Sequence, residues 1–437
     1  MVPFKGEADD AKPFAGTLAP MKVFKFGGAS VKDEAGVRNV ASVLRLFPDD
    51  DLVMVVSAMG KTTNALEAVV RARTDGRDAA EMVDALRQNH LAVLAGVAPR
   101  NVEARADLLA QFDRLEETLR NRVSPDSDRD YDAIVSFGEL WSTLIVTAHL
   151  DAVGLKTCWV DARTMVSTDA LYRSARIDWA ASGTHAPAVW AGVSGRPRRL
   201  LTQGFVGRAP DGTTTTLGRE GSDFSAAILA YLLDAESVTI WKDVPGMFNA
   251  DPKRFPDTKL LSHISYREAI ELSYFGASVI HPRTLQPLQK KHIPLYVRSF
   301  TDASAPGTTI DDHHGDDSLI PSFILKGAQL LISITPRDLS FIVEENLSDI
   351  FGLFARNRVR IELMQNSAVA FSVAVDDTPR ARALIEELGR EFDVRYNERC
   401  ELVTVRHFDE PTVERLTEGK EILIEQRSRN TARFVLK

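Results

Sequence analysis

The sequence is poor in cysteine, with only Cys158 and Cys400 among 437 residues. Two cysteines so far apart exclude a disulfide framework and a cysteine-based zinc cluster, and they favour a reducing, cytoplasmic environment. No apolar run reaches the roughly 18 residues of a membrane-spanning helix. Residues 1–20 lack the basic and apolar regions of a signal peptide, so we expect a disordered extension and no membrane partner.

The chain also lacks an excess of basic residues. Lys and Arg number 53 against 61 Asp and Glu, which gives a formal net charge of -8 and argues against a nucleic-acid partner. With 44% hydrophobic and 26% charged residues, the composition is that of a globular protein. The length predicts about three domain-sized units.

Familiar phosphate and metal motifs are missing. Met59–Thr63 (MGKTT) imitates the end of a P-loop, but the first glycine of that motif would fall at Val55. No G-x-G-x-x-G follows the first predicted strand, which removes the dinucleotide fingerprint. The nine histidines show no metal-ligand spacing, so we assign no metal ligand.

Short apolar runs alternate with longer segments of helical periodicity from Met21 onward. Consecutive apolar residues in each run are typical of strands that helices cover on both faces. The pattern predicts an α/β unit over residues 21–311, with a parallel-rich open sheet sandwiched by helices and ligands at its carboxyl edge. The predicted strands are KVFKF, DLVMVVS, DAIVSF, KTCWVD, LTQGFVG, SVTIW and IPLYVRS.

A different pattern follows residues 312–324, a polar stretch that we interpret as a linker. Residues 325–437 begin with the order βαββαβ, which predicts a ferredoxin-like α+β unit with an antiparallel sheet. The segment from Glu410 onward repeats part of this pattern. We therefore expect one full unit and a truncated second one.

Candidate chemistry begins at Lys25–Ser30 (KFGGAS), where the first predicted strand ends. The backbone at Gly27 and Gly28 can approach an anion without an intervening side chain, and Lys25 shortly before them is a candidate phosphate clamp. A solvated lysine before a Gly-Gly turn is the alternative.

A second candidate is Thr213–Ala235, where a Gly-rich turn leads into an apolar helix whose N-terminus would face a bound anion. Arg219 offers a fork for a carboxylate or phosphate, and Ser222 or Asp223 can cap the helix. Arg219 as a plain surface charge and Asp223 as a plain cap are equally open.

Other polar groups also follow predicted strands. Ser57 and Thr63 follow the second strand, and Glu139 opens a helix in SFGE, where the helix dipole alone would favour it. The loop Trp241–Lys253 is either a nucleotide-binding loop or a Pro-Gly turn.

Together these motifs occur in one order, and from Met21 onward the chain resembles the aspartate kinase family of the amino-acid kinase superfamily. Its tail is similar to the ACT regulatory units of that family. The motifs that carry the resemblance are KFGGAS, VVSAMGKTTNAL, SFGE, TTTLGREGSD, WKDVPGMFNADPK, ELSYFGASVIHPRT and VRSF.

The resemblance implies the amino-acid kinase fold and transfer of the ATP γ-phosphoryl group to the β-carboxylate of L-aspartate. The product would be 4-phospho-L-aspartate, at the first step of lysine, threonine and methionine biosynthesis, with ATP and Mg²⁺ as cofactors. Such a carboxylate is ionised at neutral pH, so the chemical task is to hold two anions in line.

The family's roles at matching positions make Lys25 and Asp223 catalytic. Arg219 would grip the substrate α-carboxylate and Glu139 the α-ammonium. The implied substrate-binding residues are Ser57, Thr63, Glu139 and Arg219. The implied nucleotide-binding residues are Gly27, Gly28, Ser30, Lys242, Asp243, Phe248 and Lys253.

Three positions depart from the family's pattern. Glu220 stands where many members have a small or amide residue, and Lys242 where others have threonine. Ser278 stands where many members supply a nucleotide-contacting lysine, for which Lys253 or Arg254 would have to substitute.

The ACT resemblance implies a homodimer or homotetramer with feedback inhibition by lysine or threonine. We expect the effector to contact Asn366 and Ser367, which offer hydrogen bonds at a strand junction. Lysine-sensitive relatives often carry an acidic residue just after this serine, whereas this chain has Ala368.

Two alternatives stay open. Another amino-acid kinase, acting on acetylglutamate or a uridine nucleotide, would share the fold but not the pairing of Glu139 with Arg219. A non-catalytic amino-acid sensor would keep the ACT units beside a relic α/β unit, but the retained Lys25, Asp223 and Asp243 argue against such decay.

Overall fold

The structure, a computed structural model, describes residues 21–121, 124, 126–277, 280–317, 320–338 and 341–437. The predicted extension over residues 1–20 and the departure at Ser278 lie outside the described residues. Within them the chain forms two units, each built on a large sheet of its own.

The first unit alternates strands with helices, as the apolar runs predict. Its strands are β1 (Met21–Phe26), β2 (Asp51–Val56), β3 (Cys158–Val160), β4 (Arg199–Gln203), β5 (Val206–Arg208), β6 (Thr214–Thr216), β7 (Ser237–Lys242), β8 (His263–Ser265), β9 (Leu295–Ser299) and β10 (Thr308–Asp311). Its α-helices are α1 (Glu34–Leu44), α2 (Thr62–Thr74), α3 (Ala80–Val97), α4 (Val102–Arg120), α5 (Ser127–Val135), α6 (Phe137–Ala152), α7 (Trp179–Ala191), α8 (Gly221–Leu232), α9 (Tyr266–Phe275) and α10 (Pro282–Lys290).

The large sheet of the first unit has the order β3-β4-β2-β1-β7-β9-β10-β8. Its neighbouring strands are parallel except β9 and β10, which run antiparallel. Strand β1 lies in the middle, so Val23 packs among side chains of α8 on one face and Phe24 among those of α1 and α6 on the other. Strands β2 and β7 flank β1 on opposite sides, which opens a crevice at their carboxyl ends. The predicted fold class is confirmed.

One predicted strand is wrong. The run DAIVSF, residues 132–137, forms the end of α5 and the start of α6, separated only by Ser136. Ile134 and Val135 at the end of α5 are both fully buried, so apolar residues occur there at consecutive positions, as they do in a buried strand. The run LTQGFVG is likewise divided between β4 and β5.

The second unit has the predicted order βαββαβ, followed by a truncated copy. Its strands are β11 (Ser322–Pro336), β12 (Leu363–Asn366), β13 (Phe371–Asp376), β14 (Phe392–Arg406), β15 (Ile422–Arg427) and β16 (Thr431–Leu436). Its helices are α11 (Glu344–Arg356), α12 (Pro379–Leu388) and α13 (Glu410–Thr417). Strand β11 starts at Ser322, so residues 322–324 of the predicted linker are strand.

The two copies share one antiparallel sheet, with the order β12-β13-β11-β14-β16-β15. Strands β11 and β14 have 15 residues each and pair along their length, with irregular register between Lys326 and Leu331. Helices α11 and α12 pack with the carboxyl half of β11, and α13 packs with Phe323 in its amino half. The copies are therefore joined through continuous strands.

The two units meet at α9. Buried Glu268 accepts hydrogen bonds from Arg406 of β14 at 3.1 and 2.6 Å, and its Oε2 lies 3.1 Å from Nε2 of His407. Nearby, the backbone N–H of Phe323 donates to the Asn249 carbonyl at 2.8 Å. A buried carboxylate is tolerated when it is paired and hydrogen-bonded, so this seam is polar yet satisfied.

One described helical stretch, Ser127–Ala152, is long and apolar enough by composition to cross a membrane. Its most apolar window is 83% buried inside the protein, which is also the environment of an ordinary core helix. The stretch is therefore weak evidence for a membrane segment.

Candidate active site

A cleft of about 680 Å³ lies at the carboxyl edge of the large sheet, beside the ends of β1, β2 and β7. It brings together side chains that are far apart in the sequence. The predicted site residues that line it are Lys25, Gly28, Ser57, Thr63, Glu139, Arg219, Asp223 and Lys242.

Lys25 points from β1 toward α8. Side chains alternate along a strand, so Lys25 shares the face of Val23, which α8 covers. Its Nζ lies 2.5 Å from Oδ1 of Asp223, and both side chains are nearly buried. Lys242, at the end of β7, lies 3.2 Å from the other oxygen. Burial alone would raise the pKa of Asp223, but Lys25 and Lys242 hold it below its ordinary value, so the carboxylate is ionised.

Helix α8 begins at Gly221, earlier than the predicted cap. Glu220 occupies the N-cap position with a left-handed φ of 54°, and its side chain makes no capping hydrogen bond. The prediction that Ser222 or Asp223 caps the helix is therefore wrong, because both lie in its first turn. From that turn the Asp223 carboxylate reaches Lys25 instead of a backbone N–H.

Glu139 lies in the first turn of α6 and is 3% exposed. Its Oε1 accepts a hydrogen bond of 3.4 Å from the Ala58 N–H, whereas its Oε2 has no hydrogen-bond partner among the described residues. Burial raises the pKa of Glu139 to about 8, although Lys25 acts in the opposite direction. A buried carboxylate with one unpartnered oxygen on a cleft wall suits a cationic ligand group.

Gly28 joins two loops of the cleft. A Cβ at this position would lie 2.6 Å from the Ala58 carbonyl oxygen, so only glycine allows this approach. The N–H of Gly60 donates to the Gly28 carbonyl at 2.9 Å. The contact holds the loops that follow β1 and β2 against each other. It thereby fixes the positions of Lys25 and Ser57 relative to each other.

Several predicted nucleotide-binding residues lie outside the lining of this cleft. The hydroxyl of Ser30 donates to the Trp241 carbonyl at 3.3 Å and so joins the ends of β1 and β7. On the loop after β7, Asp243 and Lys253 are exposed, and Phe248 forms an isolated bridge with Leu260. Gly27 is also outside the lining, although a Cβ there would lie only 3.6 Å from Nζ of Lys25.

The predicted effector residues lie on the surface of the second unit. Asn366 ends β12, and Ser367 lies in the turn that leads to β13; both are exposed. The Ser367 hydroxyl donates to the Ala370 carbonyl at 3.1 Å.

The amino acid kinase family model matches residues 20–299 of the chain. A relative, lysine-sensitive aspartokinase 3 of Escherichia coli (strain K12), is 32% identical over 403 residues, which cover 89% of this chain and 87% of that protein. The chain belongs to the aspartokinases of the amino acid kinase family.

Two solved structures of E. coli aspartokinase III share its fold. The complex with lysine and aspartate, in the T-state, matches with a TM-score of 0.79 and 28% identity, covering 95% of each chain. The complex with aspartate and ADP, in the R-state, matches with a TM-score of 0.77 and 28% identity, covering 95% of this chain and 96% of that chain. The resemblance to aspartate kinases is thereby confirmed across both units.

Sequence reasoning missed part of this aspartokinase's cleft. Tyr131 and Arg173 line it, and the Arg173 guanidinium lies 4.1 Å from the centre of the Tyr131 ring. The backbone of Arg173 is left-handed, with φ 63°. Arginine seldom adopts that conformation, so no local signal in the sequence indicates it.

Asp132 holds these loops in place and was also missed. It is fully buried, and it accepts hydrogen bonds from the Arg173 N–H at 2.9 Å and from the Thr216 N–H and hydroxyl at 2.7 Å. Thr216 leads into Gly218, where a Cβ would lie 3.0 Å from the Arg173 carbonyl oxygen. Asp132 therefore positions the turn that carries Arg219. The sequence offered one signal for this role, because Asp132 is a charged residue at the start of the apolar run DAIVSF.

The cleft also fits a magnesium ion carried by nucleotide phosphates. Such an ion keeps phosphate and water oxygens, so it needs few protein ligands. Among the described residues no group of three or more metal-ligating side chains occurs. Asp223 is engaged by two lysines, but Oε2 of Glu220, a lining residue, is buried and lacks a hydrogen-bond partner in the described part of the chain.

Proposed function

We propose that the chain transfers the γ-phosphoryl group of ATP to the β-carboxylate of L-aspartate, giving 4-phospho-L-aspartate. The observation that carries this proposal is one cleft that gathers the Lys25–Asp223 pair, the unpartnered oxygen of Glu139 and the guanidinium of Arg219. Aspartate carries two carboxylates and an ammonium, and the cleft offers a side chain of opposite charge to each of these groups.

The reaction needs no general base from the protein. A carboxylate with an ordinary pKa of about 3.9 is ionised at neutral pH, so its oxygen can attack the γ-phosphorus directly. The new oxygen–phosphorus bond replaces the bond to the bridging oxygen, which leaves with ADP. Catalysis then consists of aligning two anions and stabilising the charge on the transferring group.

Lys25 is the group that stabilises this charge. Its ammonium is fixed by Asp223 at 2.5 Å in a nearly buried position, so it needs no reorientation during the reaction. Lys242 contributes a second positive charge on the other oxygen of Asp223. The side chains of Lys25 and Lys242 are only 9% and 19% exposed, so both charges act more strongly on a phosphoryl group than they would at the surface.

Arg219 and Glu139 recognise the amino-acid end of the substrate. The planar guanidinium matches the α-carboxylate, and Oε2 of Glu139 accepts a hydrogen bond from the α-ammonium. Ser57 and Thr63, in the same lining, donate hydrogen bonds to the substrate. Glu139 must be ionised to hold the ammonium, so aspartate binding displaces the proton that burial keeps on it.

ATP and Mg²⁺ are the proposed cofactors, and the ADP in the E. coli R-state complex supports nucleotide use. When bound to the phosphates, Mg²⁺ supplies Lewis-acid neutralisation of their charge. Glu220 would hold the ion through its unpartnered Oε2. The loop after β7, with exposed Asp243 and Lys253 and half-buried Phe248, would contact the rest of the nucleotide.

We also propose feedback regulation through the second unit. The E. coli relative is named lysine-sensitive, and its T-state structure contains lysine. Asn366 and Ser367 are the proposed effector contacts. Threonine stays the alternative effector, because Ala368 offers no carboxylate to a lysine ammonium.

A homodimer or homotetramer is part of the same proposal. Several large apolar side chains of the second unit are exposed, and such surfaces commonly mark protein contacts. These residues are Phe341, Val343, Phe351, Met364 and Val369.

We propose a cytoplasmic location because Cys158 and Cys400 are both free cysteines. Cell fractionation tests this location.

A coupled assay of ATP consumption with L-aspartate and Mg²⁺ tests the proposed reaction. We expect turnover that requires both, and an acyl phosphate that hydroxylamine traps as the hydroxamate. Turnover with acetylglutamate or a uridine nucleotide, but not with aspartate, would establish the alternative kinase. An absence of turnover with any acid would favour the amino-acid sensor.

A further inference from the structure

A second cleft, of about 660 Å³, lies between the two units, and we call it the seam cleft. Glu271 and Phe275 of α9 line it from the first unit. Strands of the second unit contribute three arginines, Arg406, Arg427 and Arg433. Its volume suits a small molecule.

Arg433 is the cation of the seam cleft that lacks a counter-ion. Its Nη2 donates to the Glu362 carbonyl at 2.6 Å and its Nε to the Thr404 hydroxyl at 3.3 Å, while its guanidinium lies 4.9 Å from the centre of the Phe275 ring. Among the described residues no carboxylate forms an ion pair with it, and the Glu362 carboxylate is paired with Lys326 at 2.9 Å. Burial lowers the pKa of Arg433. A partly buried cation with unused N–H donors favours an anionic ligand.

The other two arginines are already paired. Arg406 is bonded to Glu268, with its shorter contact at 2.6 Å. Arg427 donates to Glu425 and Glu410, each at 2.6 Å. They shape the seam cleft but have less need of an anion than Arg433 has.

Glu271 is the complementary group on the facing wall. Its side chain is 36% exposed, and its nearest cation is Nη1 of Arg406 at 3.8 Å, which is longer than a hydrogen bond. That carboxylate is therefore able to accept from a ligand ammonium.

We propose that the seam cleft binds a free α-amino acid as its zwitterion, with the carboxylate on Arg433 and the ammonium on Glu271. Gln365 and Ser428, which also line the cleft, offer hydrogen bonds to the ligand side chain. This site differs from the proposed effector contacts at Asn366 and Ser367. It goes beyond the proposed reaction, because binding here does not require phosphorylation of aspartate.

A ligand in this position would bridge the two units. Glu271 and Glu268 lie one turn apart on α9, and Arg406 contacts both. An amino acid held by Glu271 on one side and Arg433 on the other binds best when the units are in contact. It therefore stabilises that arrangement over any in which the seam opens.

Isothermal titration of the full chain, without nucleotide, tests the site with L-lysine, L-threonine, L-methionine and inorganic phosphate as probes. We expect one of the amino acids to bind. Arg433→Gln and Glu271→Gln should each weaken that binding at least about tenfold, since each removes one charged contact. Asn366→Ala changes the separate effector contact, so it should leave in place the binding that depends on Arg433 and Glu271.

Arg395→Gln is the matched control, because this arginine of β14 is 86% exposed and lies outside the seam cleft. Glu271→Gln changes an exposed side chain, so it keeps the test valid if Arg433→Gln does not fold. Four outcomes would overturn the proposal: no probe binds, phosphate alone binds, the two seam variants bind as wild type does, or only Asn366→Ala loses binding. Kinase turnover measured without effector reports separately on the proposed reaction.

Discussion

Two buried ion pairs of almost equal length occupy different settings in this molecule. Lys25 and Asp223 lie 2.5 Å apart at the cleft, and Arg406 and Glu268 lie 2.6 Å apart at the seam. Arg406 lines the seam cleft, but its N–H groups are bonded to Glu268 and Thr431. Lys25 faces a cleft and keeps N–H donors for a ligand. Burial and short distance therefore do not distinguish a proposed catalytic pair from a structural one; the distinction lies in donors left free toward the cleft that also holds Glu139 and Arg219.

Breaking the pair of Arg406 and Glu268, which we call the seam pair, should have the largest predicted effect. It should change stability alone. Glu268→Gln keeps the shape of the side chain but leaves the buried guanidinium of Arg406 without a counter-ion, so we expect a loss of roughly 3 kcal/mol in the free energy of unfolding. Urea denaturation measures it. Glu271→Gln, on the same helix and 36% exposed, should cost less than about 1 kcal/mol.

The pH dependence of the seam pair has a defined sign. Burial alone would raise the pKa of Glu268, but His407 and Arg406 hold it below its ordinary value of 4.5. The stabilisation is therefore complete above that pH and is lost as the pH falls through the lowered pKa. Equal stability of Glu268→Gln and wild type at neutral pH would contradict this account of the seam.

At the cleft, Arg219→Gln should act on aspartate and not on the nucleotide. The loss of a charged, forked contact to the α-carboxylate should raise the KM for aspartate between about tenfold and a hundredfold, while the KM for ATP stays within about twofold. Steady-state kinetics with each substrate varied measure both constants. Arg176→Gln, an exposed arginine outside the cleft lining, is the control. A raised KM for ATP alone would reassign Arg219 to the nucleotide.

Asp132→Asn should produce a smaller change of the same kind. The amide keeps one acceptor oxygen but turns an N–H group toward the backbone donors of Arg173 or Thr216, so the turn that carries Arg219 shifts. We expect the KM for aspartate to rise about tenfold, with less change in kcat. Burial raises the pKa of Asp132 to about 6, so wild type should lose aspartate affinity as the pH falls through that value.

Asp51→Asn is the control for Asp132. It is another buried carboxylate that accepts a backbone N–H, here from Arg198 at 2.6 Å, but it lies at the start of β2. It should lower stability and leave the KM for aspartate unchanged. An equal rise in KM in both variants would mean that Asp132 acts through general stability.

The smallest predicted effect is the pH dependence that Glu139 gives to aspartate binding. With its pKa raised to about 8, Glu139 is mostly protonated at pH 7, and binding of the ammonium should release close to one proton. Affinity for aspartate should improve about fivefold from pH 7 to pH 8. Calorimetry in two buffers of different ionisation enthalpy measures the release, which Glu139→Gln should abolish; an unchanged release would remove Glu139 from the ammonium site.

The positions of Lys25 and Asp223 on their own elements could be predicted from local sequence, whereas their pairing was implied only by the family resemblance. Alternation along β1 predicts that Lys25 shares a face with Val23, and the Gly-rich turn before an apolar helix predicts that Asp223 lies near the start of that helix. The start of α8 was misplaced because Ser222 and Asp223 are good caps, whereas Glu220 in a left-handed conformation is an uncommon one.

The rest depends on contacts between distant segments. The run DAIVSF resembles a strand because the buried apolar residues at the end of α5, Ile134 and Val135, are consecutive, and this interpretation obscured the role of Asp132. The approach of Arg173 to Tyr131 and the pairing of Arg406 with Glu268 join segments whose proximity only the fold determines. The lack of a counter-ion at Arg433 could not be predicted for the same reason, because no local pattern indicates which groups surround it.

The most direct test of the contrast between the two pairs is to measure kcat and the free energy of unfolding together for Lys25→Ala and Glu268→Gln. Lys22→Ala, at a partly buried neighbour on β1 that is paired with Asp50, serves as the control. Lys25→Ala should lose at least about a hundredfold in kcat and remain folded, because a preorganised charge on the transferring group is removed. Glu268→Gln should lose stability and keep a kcat within about threefold of wild type when measured well below its unfolding transition. Near wild-type turnover in Lys25→Ala would contradict the central claim.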